Sequence, residues 1–218
     1  MNTDLKTHWE RIYEAQTEEQ HSWFQPSLHS SLAFIEHCRL PKNARMIDIG
    51  GGDSHLVDAL LLSGYTDITV LDISATAIER AQTRLGERAS QVRWIVGDIT
   101  EFEPETGQFD LWHDRATFHF LTADAPVARY VDIARRAIRP GGYLVLGTFS
   151  TKGPKKCSGL DIRQYDRAGM NAVFAPFFRR ISCRDDVHLT PSNVAQRFLF
   201  CTFRRRQRPP AQSLITRK

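Results

Sequence analysis

The sequence predicts an α/β protein with a doubly wound, mostly parallel seven-stranded sheet, and three observations carry that expectation. From Ala44 to Ser150 short apolar runs alternate with longer amphipathic ones. The first apolar run, ARMIDIG, opens into three consecutive glycines, Gly50, Gly51 and Gly52. After Ser150 the alternation gives way to two strand-like runs around a Thr190-Pro191-Ser192-Asn193 turn. Strand–helix alternation implies parallel pairing, because each right-handed crossover needs a helix to return the chain.

The elements follow in order. Residues 1–40 read as a helical segment rich in aromatics, placed as a lid before the first strand. ARMIDIG is a buried parallel strand, and SHLVDALLLSGY is a helix with apolar spacing through Leu56, Ala59 and Leu60 and a stop at Gly64. DITVLDIS is the second strand, and Ser74 caps the helix SATAIERAQTRLGE behind it. QVRWIVGDI, FDLWHDR and YLVLGTF are three further strands. The helix APVARYVDIARRAIRPGG separates the last two and is expected to end at Pro140-Gly141-Gly142. FFRRISCRDDVHL and VAQRFLFCTFRR form a C-terminal antiparallel hairpin completing the sheet. The sheet domain is thus expected over residues 41–203, with 204–218 a flexible basic tail.

Length and composition bound the answer. A chain of 218 residues with 41% apolar content suits one globular domain with a substantial core. The net charge of +4 belongs to the tail, whose six basic residues from Arg204 to Lys218 face no acid. Without them 23 basic residues meet 25 acidic ones, which argues against a nucleic-acid surface across the domain. No apolar run reaches the roughly 20 residues of a membrane span, and the polar N-terminus lacks a secretory pattern, so a cytoplasmic protein is expected. Cys38, Cys157, Cys183 and Cys201 form no Cys-x-x-Cys pair; no metal site is expected, and reduced thiols are.

In such a sheet the ligand lies at the carboxyl ends of the strands, near the switch in strand order. After the first strand stands Asp48-Ile49-Gly50-Gly51-Gly52-Asp53-Ser54, where glycines let a ligand lie on bare backbone. A dinucleotide loop needs G-x-G-x-x-G, and His55 takes its last position, which disfavours a nicotinamide cofactor. Asp72 ends the second strand, placed for ribose hydroxyls, with Ile73 next to it. Asp98 ends the third, placed for an adenine amino group, and Ile99 offers a backbone N–H and an apolar face. Asp114 and Arg115 end the fourth. Four aspartates in register make a poor cradle for a pyrophosphate, which needs N–H groups and positive charge. They suit a ligand with an ammonium, a sulfonium and a ribose, such as S-adenosylmethionine.

Through MIDIGGGDS, VLDIS, WIVGDI, FDLWHDR and RPGGYLVLGTF, residues from about Lys42 to Phe149 resemble the class I (Rossmann-like) S-adenosylmethionine-dependent methyltransferases. The resemblance implies that Gly50 and Gly52 border the methionine part, Asp72 holds the ribose, and Asp98 with Ile99 frames the adenine. The third glycine common in that family is Ser54 here. HWERIY and HSWFQ are similar to the opening of a subgroup that includes small bacterial methyltransferases and elongation-factor lysine methyltransferases. By that likeness Tyr13 and Trp23, with Trp9, close over the cofactor, where aromatic faces stabilise a sulfonium. The alternative for these rings is plain packing of a helix onto the core.

The acceptor side is read from Asp114, Arg115, Phe118 and His119, and from Cys157, Arg163 and Tyr165 in KKCSGLDIRQYD. His119 and Tyr165 are the catalytic candidates. His119 reads equally as a general base and as a structural histidine between Phe118 and Phe120. The lysine methyltransferases carry E-K-G-T-L-D where this chain has Asp114-Arg115-Ala116-Thr117-Phe118-His119, and the departure at His119 counts against a lysine acceptor. The expected substrate is a small-molecule O, N or S acceptor, with protein lysine methylation as the alternative.

Overall fold

The computed structural model describes residues 3–25 and 29–207. Helices α1 (Thr3–Ala15) and α2 (His29–His37) precede the sheet. Then β1 (Arg45–Ile49), α3 (Leu56–Leu62), β2 (Asp67–Asp72), α4 (Ala75–Leu85) and β3 (Val92–Val96) build the first half. β4 (Phe109–Arg115), α5 (Asp124–Ala137) and β5 (Ile138–Phe149) build the second. A two-strand ribbon of β6 (Lys156–Cys157) and β7 (Leu160–Asp161) follows, then α6 (Arg167–Phe174), β8 (Phe178–Leu189) and β9 (Ala195–Arg205).

The seven strands run β3-β2-β1-β4-β5-β9-β8. β1 to β5 pair in parallel, whereas β9 is antiparallel to both β5 and β8. Strand order reverses between β1 and β4, so the switch point lies where Gly50 follows one strand and Arg115 ends the other. Both faces of the sheet are covered. Along β5, Leu144 and Leu146 join one apolar cluster with Trp112, Ile133 and Phe174, while Val145 joins another with Ile35, Leu56 and Phe200. That alternation on a doubly buried strand is what the parallel order requires.

Four expectations change. Ile138 to Gly142 is not a helix end: β5 begins at Ile138, with a register irregularity between Phe109 and Leu111 on β4. Arg204 and Arg205 belong to β9, where Arg204 donates to Gly141 O (3.0 Å) and Arg205 to Ile138 O, so the strand outruns the boundary at 203. Most of the expected tail, residues 208–218, lies outside the described residues. Cys183 and Cys201 are not separate thiols. They face each other in register on β8 and β9 and are joined by a disulfide, leaving Cys38 and Cys157 free. Helix α6 and the β6–β7 ribbon are additions, both too short to show a period in the sequence.

Candidate functional site

A cleft open at its mouth lies at the carboxyl ends of β1, β2 and β4. Gly50, Asp72, Ile73, Asp98, Ile99 and Arg115 line it from the sheet, and Tyr13 and Trp23 line it from the N-terminal segment.

The glycine loop leaves β1 with Gly50 at φ +62° and Gly52 at φ +44°, both in the left-handed region. Gly50 N–H donates to Leu71 O (2.7 Å), which ties the loop to β2. A Cβ on Gly52 would sit 2.8 Å from Tyr13 Oη and 3.0 Å from Asp72 Oδ2. The loop, the N-terminal phenol and the β2 carboxylate therefore converge on one point. Beneath them, buried Asp48 has Oδ1 2.7 Å from His113 Nδ1, and His113 Nε2 lies 3.0 Å from Ser31 Oγ on α2. Asp48 borders a smaller recess with Gly50, Gly51, Ser54 and Arg115.

Asp72 is buried, and its Oδ1 accepts from Ser74 N–H (2.8 Å). Burial pushes its carboxyl up to about 7; the Ser74 and Gly52 N–H groups pull it down, while neighbouring Asp53 and Asp48 add to the rise. Asp98 ends the loop after β3 and accepts from both the N–H and hydroxyl of Thr100 (2.8 Å each). That cap turns Ile99 into the cleft wall beside Gly97.

The N-terminal segment is held by polar contacts. Glu10 accepts from Ser74 Oγ (2.7 Å) and from the N–H groups of Ala75 (2.8 Å) and Thr76 (3.2 Å) at the start of α4. Burial alone raises a carboxyl; those bonds outweigh it and hold Glu10 below its usual value. Arg80 donates to Gln16 O (2.8 Å), Arg115 to Trp23 O (3.1 Å), and His188 Nε2 lies 2.7 Å from Ser22 O. Trp9 stands edge-on to Trp23 (5.7 Å) and to Phe120 (5.1 Å), and Tyr13 edge-on to Trp23 (6.0 Å). These rings line the cleft together with Leu5, Leu121 and Cys157.

Five candidates are absent from the cleft lining: Asp48 and Gly52, described above, and Asp114, His119 and Tyr165. Asp114 is fully buried and structural: Oδ1 accepts from Thr117 N–H (3.0 Å) and Phe118 N–H (3.2 Å), and Oδ2 from Tyr130 Oη (2.7 Å). His119 is fully buried against the Phe120 and Phe149 rings, and its Nδ1 accepts from Phe149 N–H (3.4 Å). Burial and the Arg115 charge pull it down to about 3, so it is a core histidine outside the cleft lining, not a base facing the acceptor. Tyr165 is buried, stacks on Phe118 (5.3 Å), and also misses the cleft. Ala116 after β4 is left-handed (φ +68°), and beyond it Phe120 lines the cleft whereas His119 does not. Glu10 escaped sequence reasoning altogether: nothing in the text links an acid on α1 to a helix end 64 residues on.

Comparison with known proteins finds methyltransferases. The methyltransferase domain family matches residues 46–142. An eEF1A lysine and N-terminal methyltransferase of Danio rerio is 25% identical over 146 residues, 66% of this chain and 21% of that protein. EEF1A lysine methyltransferase 2 of Danio rerio is 28% identical over 131 residues, 57% of this chain and 56% of that one. The chain thus spans about a fifth to about half the length of these relatives. Among solved structures, one from the conversion of a disulfide bond into a thioacetal group during echinomycin biosynthesis has a TM-score of 0.75 at 19% identity, covering 93% of both chains. The Burkholderia thailandensis 1,6-didemethyltoxoflavin-N1-methyltransferase, with bound S-adenosylhomocysteine, has a TM-score of 0.66 at 18% identity, covering 93% of this chain and 84% of that one. Residues 46–142 thus match the methyltransferase domain family, and the likeness to these solved structures shows the same fold.

Proposed function

We propose that the protein transfers the methyl group of S-adenosylmethionine to a small-molecule O, N or S acceptor. The cleft that Gly50, Asp72, Ile73, Asp98 and Ile99 line at the carboxyl ends of the strands carries this reading. In this reading Asp72 receives the ribose hydroxyls, Asp98 and Ile99 frame the adenine, and Gly50 with Asp48 borders the methionine part. Trp9, Tyr13 and Trp23 face the sulfonium, and residues 1–40 act as a lid. When bound, the sulfonium supplies an activated methyl group that leaves without acid assistance. The chain's residues then have to align the acceptor in line and exclude water. Protein lysine methylation is the second reading, favoured by the activities for which the eEF1A methyltransferase relatives are named. A cytoplasmic location belongs to the proposal too; the Cys183–Cys201 disulfide stands against it, since cytosolic thiols are kept reduced.

Calorimetry tests the cofactor half. Micromolar binding of S-adenosylmethionine and S-adenosylhomocysteine is expected, with no binding of NAD, and the reverse pattern would end the reading. Methyl-donor turnover against a panel of small acceptors tests the other half; methylation of protein lysine alone would replace it.

The Asp72 carboxyl gives a pH signature. It sits at about 7 in the free protein, and ribose hydroxyls donating to it favour the charged form. Its value in the complex is therefore lower, binding releases a proton near neutral pH, and affinity rises with pH until about 7 and then levels off. Calorimetry in two buffers of different ionisation enthalpy reads this directly. Asp72→Asn should abolish the proton release, and an unchanged release in that variant would assign it to another group.

A further inference from the structure

We propose that the methyl acceptor is a small planar organic anion with delocalised charge, held at one atom by Arg115 and reacting through another as its own nucleophile. The inference rests on the methyltransferase reading above and narrows its substrate.

Trp9, Trp23, Phe120 and Leu121 supply an apolar, largely aromatic part of the cleft lining. Aromatic faces of this kind suit a planar guest. Among the described residues lining that cleft, Arg115 is the single cation. Its Nη1 is committed to Trp23 O (3.1 Å), and its Cζ lies 5.1 Å from the centre of the Phe198 ring. Its Nη2 is buried and has no hydrogen-bond partner among the described residues. Asp186 and Asp48 act on Arg115 only at longer range; no carboxylate of the described residues forms an ion pair with it. A buried donor of this kind is costly unless a ligand satisfies it, and a guanidinium selects an anion.

The second observation is the lack of a base. The other ionisable groups lining the cleft are Tyr13, Asp72, Asp98 and Cys157. Asp72 and Asp98 are assigned to the ribose and adenine. Burial and the Asp72 and Asp53 charges hold the Tyr13 phenol well above its usual value, and burial raises the Cys157 thiol. His119 and Tyr165 lie outside the cleft. Among the described residues lining the cleft, no side chain is left to remove a proton, so the acceptor arrives without one to lose. The anionic atom bonds to the methyl carbon while the carbon–sulfur bond breaks and its electron pair stays on sulfur. The negative charge of the acceptor and the positive charge of the sulfonium cancel, and no proton is released. A lysine side chain fails both conditions: its ammonium meets Arg115 as a like charge and needs a base.

Three isosteric probes test this on the full chain saturated with S-adenosylhomocysteine: benzoate, benzamide and benzamidine, read by tryptophan fluorescence or competition. Benzoate should bind at least about tenfold more tightly than benzamide, with benzamidine weakest. Arg115→Gln should level the three, and Arg115→Lys should keep the order with smaller differences. The ratio of affinities for S-adenosylhomocysteine and 5′-methylthioadenosine, which lacks the amino-acid part, should be the same in wild type and Arg115→Gln. A collapse of that ratio assigns Arg115 to the cofactor carboxylate and overturns the proposal. Equal or absent binding of the three probes to the wild type, or benzamidine binding most tightly, also overturns it. Wild-type protein that takes up no S-adenosylhomocysteine overturns the methyltransferase reading first and this one with it. Should Arg115→Gln not fold, the wild-type order and its flattening in Arg115→Lys still decide.

Discussion

Gly50→Ala is expected to reduce S-adenosylhomocysteine affinity by about 100-fold or more while leaving the sheet folded. Two costs add at this position. The φ of +62° is a conformation that costs an L-residue roughly 1–2 kcal/mol. A Cβ there would also lie 1.8 Å from Thr117 Oγ1, so either the loop or the turn after β4 has to move. Overpacking of this kind costs about 1–3 kcal/mol, and both moving parts border the cofactor seat. Adding Thr117→Ala should recover part of the loss, because it removes the nearest atom but not the backbone cost. Calorimetric titration of the single and double variants, with thermal melts alongside, checks both statements. Wild-type affinity in Gly50→Ala would show that this loop does not seat the ligand.

The second large effect concerns stability. Asp114→Ala should destabilise the fold by about 3–4 kcal/mol in urea melts, because three buried donors lose their acceptor at once: Thr117 N–H, Phe118 N–H and Tyr130 Oη–H. Tyr130 also accepts from Trp112 Nε1–H (2.9 Å), so the loss reaches the centre of the core. Asp114→Asn retains one oxygen and should cost roughly half as much. A change under about 1 kcal/mol in the alanine variant would mean that water satisfies these groups and that the residue is not a structural anchor.

These two aspartates of the fourth and second strand ends show what could be read in advance. The sheet was legible because every parallel strand is an apolar run bounded by a helix with clear spacing, as in RMIDI and LVDALLL. Asp72 and Asp98 were legible because a strand end followed by a helix or short turn puts a carboxylate at the same height each time. Asp114 has the same signature yet points to Tyr130, and only the partner across the core distinguishes the two roles. The burial of His119 was not legible, because the turn after β4 contains a left-handed Ala116 and alanine carries no mark of that conformation. The Cys183–Cys201 bond needed the hairpin register, which a bulge near Arg180 and Ser182 shifts.

The attachment of Glu10 to the first turn of α4 has a thermodynamic consequence. Ser74, which donates to Glu10, is also the residue whose N–H holds Asp72. A docked α1 and a correctly aimed Asp72 are thus parts of one two-residue hinge. Linkage then works in both directions: whatever factor the docked segment adds to cofactor affinity, the cofactor adds to the docking equilibrium of that segment. Amide exchange along α1 slows by that same factor once the site is saturated, so the occupancy of the cleft is written into the lifetime of the thirteen-residue helix that supplies part of its wall.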